Sequence, residues 1–98
     1  MAKTVDVTMD ASAWVAVNED GGNPLDVAHA TLQLKSTGPV LVQVTATKVQ
    51  PGPSETDGLM LYRGGLEEVP LSGLVAGNTI WVRSFEDEGN RVAAYLVT

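Results

Sequence analysis

The sequence predicts an all-β fold: an antiparallel β-sandwich or barrel-like domain of about eight short strands. Three observations carry that expectation. Apolar residues recur with period two in one stretch after another, Gly and Pro fall between those stretches at intervals of about 8–12 residues, and no segment holds a convincing helical period. A chain of 98 residues is the size of one domain, so 1–98 is read as a single β domain, with 1–10 as an N-terminal arm or added strand.

The elements follow in order. In "TVDVT" (4–8), Val5 and Val7 alternate with Thr4, Asp6 and Thr8; "ASAWVAV" (11–17) follows, apolar on both faces. "NEDGGNP" (18–24) is an acidic, Gly-rich turn. "PLDVAHATLQLKS" (24–36) is where a helix competes, since Asn23, Pro24 and Asp26 resemble a helix start. Against that, Ala28, Ala30, Leu32 and Leu34 alternate with His29, Thr31, Gln33 and Lys35, which favours a strand. "TGP" (37–39) separates it from "VLVQVTAT" (40–47), where Val40, Val42, Val44 and Ala46 share a face, and the pair reads as a hairpin.

"VQPGPSETDG" (49–58) is longer than a hairpin needs, and Pro51 and Pro53 withhold donors; its length suits a crossing between two sheets. "LMLY" (59–62), a tight "RGG" turn and "LEEVPL" (66–71) come next, with Pro70 marking an edge strand or strand end. "SGLVAGN" (72–78) turns the chain into "TIWVRSF" (79–85), and "EDEGN" (86–90) turns it into "RVAAYLV" (91–97). The last two strands are apolar on both faces: Trp81 opposes Ile80 and Val82, and Ala93, Tyr95 and Val97 oppose Val92, Ala94 and Leu96. Either a loop or the N-terminal strand covers the second face, or another subunit does.

Composition narrows the function classes. Twelve acids against six scattered bases give a net charge of −6, which repels a phosphate backbone, so nucleic acid is not an expected partner. There is no cysteine, hence no disulfide and no thiolate ligand or nucleophile. The start "MAKTVDVTMD" has no signal-peptide pattern, and no apolar run reaches the ~20 residues of a membrane span, so neither secretion nor a membrane partner is expected.

No residue set announces catalysis, and no enzyme activity or cofactor is expected. His29 is the single histidine; Ser12, Ser36, Ser54, Ser72 and Ser84 stand in neither G-x-S-x-G nor S-x-x-K. Glu67 and Glu68 are adjacent in a strand and point to opposite faces, unsuited to acting as an acid/base pair. The acidic turns 18–23 and 86–90 raise the question of calcium, but neither has EF-hand spacing, and Asp, Asn and Gly are what tight turns require; no metal site is assigned. Trp14 and Trp81 are the largest apolar side chains, suited to a core, a subunit interface or a sugar-stacking platform.

The order of features carries a resemblance. A Trp strand, "GPVLVQVTAT", P-x-P-S-x-x-x-G, L-x-L-Y-R-G-G with V-P-L after it, "GNTIWVRS" and "GNRVAAYLV" together resemble small tailed-bacteriophage virion proteins over about residues 12–98. In such proteins one compact β domain decorates the capsid or forms part of a fibre or head appendage. The resemblance implies a structural role, a tendency to trimerise and a virion location after assembly in the host cytoplasm. The resulting expectation is an oligomeric capsid decoration (cement) protein bound over subunit junctions of the major capsid protein. The alternative is a receptor- or glycan-binding fibre module using Trp14, Trp81 or Tyr62 as a platform. Val5, Val7, Met9, Trp14 and Trp81 are the residues expected at a partner interface.

Overall fold

A computed structural model describes the chain apart from residues 1, 10–13, 21–22, 25, 37–38, 48–49, 53–57, 86–89 and 98. The described residues form ten strands: β1 (Ala2–Met9), β2 (Val15–Ala16), β3 (Glu19–Asp20), β4 (Asn23–Pro24), β5 (His29–Leu34), β6 (Val40–Thr45), β7 (Leu59–Leu61), β8 (Glu68–Leu71), β9 (Thr79–Ser84) and β10 (Asn90–Val97). Two four-stranded antiparallel sheets, ordered β1-β10-β5-β8 and β2-β9-β6-β7, make an all-β sandwich, and β3 and β4 form a small separate ribbon. Among the described residues no helix is long and apolar enough to cross a membrane.

Period-two patterning builds the core directly. Residues directly opposite one another in paired strands share a face. Val5, Ala94, Leu32 and Val69 thus line up across the first sheet, pointing inward. Val15, Val82 and Val42 make the facing row in the second sheet. Leu32, Val40, Leu61, Ile80, Val82 and Val92 are fully enclosed between the layers.

Two polar clusters cross this apolar interior with their partners supplied. The Asn18 amide donates to the Asn78 carbonyl at 2.8 Å and accepts from the Ile80 N–H at 2.8 Å, so a side chain continues the edge of β9 where β2 stops. At the other end a directed chain runs from the Arg91 N–H to Ser36 Oγ, from Ser36 to Asn90 Oδ1, from Asn90 Nδ2 to Ser84 Oγ, and from Ser84 to the Met9 carbonyl. It ties β10 and β1 of one sheet to β9 of the other; buried polar groups are stable when satisfied in this way.

Several expected connections differ. The segments 28–35 and 40–47 contain the strands β5 and β6 but do not form a hairpin, because β5 and β6 lie in opposite sheets. The Lys35 N–H still bonds to Arg91 in the first sheet, whereas the Pro39 carbonyl already accepts from Phe85 in the second, so the chain changes layer within 36–39. The connection 46–58 does the reverse: it joins β6 to β7, neighbours in one sheet, and is not a sheet-to-sheet crossing. The helix start suggested around Asn23 and Asp26 does not develop; Asp26 Oδ1 accepts the Gly77 N–H at 2.9 Å, so the carboxylate serves a loop donor. Within 11–17, Val15–Ala16 is the only described strand; 11–13 lie outside the described residues. Pro70 lies in β8, which has a neighbour on one side only, the setting where a strand tolerates proline.

Candidate interaction surfaces

Among the described residues no group of three or more His, Asp or Glu side chains converges on a point. Ser36 and Ser84 are committed to the hydrogen-bonded chain above and have no histidine beside them in it. His29 is exposed at the start of β5, opposite Val97. Glu67 and Glu68 do different things: Glu67 Oε2 accepts the Gly64 N–H at 3.1 Å in the 63–65 turn, and Glu68 lies on the outer face of the first sheet. Of the acidic turns, 21–22 and 86–89 lie outside the described residues, and the Asn18 amide is already engaged by Ile80 and Asn78.

The residues expected at a partner interface are each used by the chain itself. β1 pairs with β10 along its whole length, from Ala2 opposite Val97 to Met9 opposite Asn90. This registers Val7 and Met9 into the core, with half-buried Val5 packed against it. Trp14 and Trp81 belong to a second apolar cluster with Leu41, on the outer side of the second sheet, flanked by Ala16, Met60 and Phe85. The chain passing through Gln50 and Gly52 is laid against it. Trp14 Nε1 donates to the Gly52 carbonyl at 3.0 Å, and Gln50 Nε2 donates to the Trp14 carbonyl at 3.2 Å. Trp81 Nε1 donates to Thr45 Oγ1 at 2.9 Å, and the Arg83 guanidinium lies 5.0 Å from the centre of the Trp14 ring. With exposures of 4% and 6%, Trp14 and Trp81 offer no open ring face, which corrects the expectation that they form a stacking platform. For β9, the second apolar face is therefore covered by the chain's own loop.

Two surfaces remain. The first is the outer edge of β1. Eight residues without Gly or Pro run in continuous register with β10, and among the described residues nothing pairs with the other edge. The other sheet edges are shorter or blunted: β2 has two residues, β7 three, and β8 four, including Pro70. A long open edge presents a row of unpaired backbone donors and acceptors.

The second is the outer face of the first sheet, which register lays out as a grid. One row reads Thr4, Tyr95, Thr31, Pro70 and the next reads Asp6, Ala93, Gln33, Glu68. Tyr95 is 50% exposed, whereas its neighbour Ala93 is too short to reach the level of the flanking side chains. An open hollow of about 180 Å³ results, lined by Thr4, Thr31, Gln33, Glu68, Ala93, Ala94 and Tyr95. Lys35 Nζ, just past the end of β5, meets Asp6 Oδ1, on β1, at 3.1 Å across β10. Sequence reasoning had placed Tyr95 only as half of a two-sided strand; its polar neighbours come from three other strands.

No family model matches this sequence, and no curated protein or solved structure is significantly similar to it.

Proposed function

We propose that this chain is a structural binding module: a tailed-bacteriophage capsid decoration protein that sits as an oligomer, a trimer in the leading form, over junctions between capsid subunits. The observation that carries the reading is the open eight-residue edge of β1. An extended segment of a capsid subunit, or of another copy, adds there as a further strand through main-chain hydrogen bonds. Roughly every second residue of an edge strand points its N–H and C=O outward, and each bond contributes about 0.5–1.5 kcal/mol net. One such edge is modest by itself, but it gains strength when a shell presents many copies at once.

Other features support the same class. Acidic charge keeps such a module off packaged DNA. Val5, Val7 and Met9 then act indirectly, anchoring β1 so that its backbone edge is rigid. A fibre module that binds through Trp14 or Trp81 is not favoured, because both rings are enclosed.

The test is light scattering of the pure protein together with co-sedimentation on purified heads lacking it. Val5→Lys puts an inward-pointing charge on a half-buried edge position, a device that blocks strand addition while leaving a snorkelling route to solvent. Oligomers and head binding in the parent, both lost in a cooperatively folding Val5→Lys, are the expected results. A strict monomer that never associates with heads would refute the proposal.

A further inference from the structure

We propose that the hollow on the outer face of the first sheet is a binding subsite for one ring of a neutral saccharide. It does not depend on the β1 edge. Three properties of the hollow converge on this ligand class.

Its lining is mixed in a way that suits a sugar. Tyr95 is 50% exposed and lines the hollow, and an aromatic ring packs well against the C–H face of a pyranose. Around it, the Thr4 and Thr31 hydroxyls and the Gln33 amide both donate and accept, and the Glu68 carboxylate accepts. Sugar hydroxyls also donate and accept, so this set satisfies them from both sides. A purely apolar ligand would leave those four polar groups stripped of water without partners.

Charge opposes the anionic alternatives. Glu68 lines the hollow and Asp6 faces the same side of the sheet; of the cations on that face, Lys35 is engaged by Asp6 at 3.1 Å, and Arg91, two residues along β10 from Ala93, is not among the lining residues. A phosphate or sulfate would meet carboxylate before it met free positive charge. Size gives the scale. A volume of about 180 Å³ falls below the ~300–1,000 Å³ of enclosed drug-sized sites, so it accommodates a single ring, and the open side lets further sugars of a chain run on across the sheet.

The grid supplies rigidity. Each lining side chain stands on a strand whose register is set by the inward rows behind it, so the polar groups are placed by the fold rather than by a loop. An open, solvent-washed subsite of this kind binds one ring weakly, in the millimolar range, and becomes useful when several copies are presented together.

The experiment is a titration of the ¹⁵N-labelled intact protein with glucose, galactose, mannose and N-acetylglucosamine, each to about 50 mM, with inorganic phosphate as a separate arm. The expected result is saturable amide shifts centred on 31–33 and 93–95 with at least one sugar, and none with phosphate. Tyr95→Ala, which removes the stacking face, and Ala93→Leu, which fills the hollow from its floor, each weaken the response by about tenfold or more. Val75→Ala removes an apolar side chain that is 64% exposed outside the hollow and leaves the response unchanged. Thermal melts of all three variants show that they remain folded. No saturable shift with any of the four sugars, a response to phosphate instead, or affinities equal in the parent, Tyr95→Ala and Ala93→Leu would each overturn the proposal.

Discussion

Replacing Asn18 by Ala removes an amide that is wholly buried and that substitutes for a missing stretch of strand. Its Oδ1 takes the Ile80 N–H and its Nδ2 serves the Asn78 carbonyl, both at 2.8 Å, beside the Val17 N–H bond to the Ile80 carbonyl. At least two hydrogen bonds are lost, each worth about 1 kcal/mol net, and the stranded Ile80 N–H adds a desolvation cost of about 1–3 kcal/mol. The expected destabilisation is at least about 3 kcal/mol. For a domain of this size that lowers the melting temperature by roughly 12–24 °C. Urea unfolding followed by tryptophan fluorescence measures it, with the midpoint falling and the slope unchanged. A loss below about 1 kcal/mol would refute the reasoning, since the amide would then not be satisfying buried groups.

Asn18→Asp sharpens the test because it adds a pH dependence of known sign. Desolvation at a fully buried position raises a carboxyl's folded-state pKa above the unfolded value of about 3.9. The protonated acid can still accept from Ile80 and donate to Asn78, whereas the ionised form presents charge to a carbonyl. The variant's stability is therefore greatest below the unfolded pKa and falls as pH rises through the raised folded pKa. Equal stability of Asn18→Asp relative to the parent at pH 4 and pH 7 would contradict the hydrogen-bond assignment.

Gly58→Ala and Trp14→Phe probe the long β6–β7 connection, with Gly64→Ala, in the turn after β7, as the comparison. Gly58 has φ +122°, and a Cβ there would run into the Val42 carbonyl oxygen, so Gly58→Ala should cost at least about 1–3 kcal/mol by thermal melt. Gly64→Ala, at φ +86° in open space, bears only the backbone strain and should cost less; equal losses would show that the Val42 contact is unimportant. Trp14→Phe loses the bond to Gly52 and weakens the Arg83 contact, for a cost of about 1–2 kcal/mol read from Trp81 fluorescence; an unchanged melt would show that the loop does not seal this cluster.

Tyr95 and Trp81 show why surface roles were harder to read than strands. Both sit in two-sided strands and looked equivalent there, either covered by a loop or facing another subunit. Residues 50 and 52, more than 35 positions away along the chain, return to lie against Trp14 beside Trp81. Nothing comparable reaches Tyr95 among the described residues. Thr4, Thr31 and Glu68 carry no site signal in the linear sequence, because strand pairing alone makes them neighbours.

The strand character of 4–8, 29–34, 40–45, 79–84 and 91–97 was legible in the chain alone, because alternation of apolar and polar side chains is a local property with a period of two. So was the edge position of Pro70. Which strands pair was decided only in three dimensions. A short Gly- or Pro-containing connection such as 36–39 serves equally to fold a hairpin or to cross between sheets, and the choice falls to whichever pairing buries Leu32, Val40 and Val82 together. The same non-local burial enclosed Trp14 and Trp81 and left open the β1 edge and the hollow beside Tyr95.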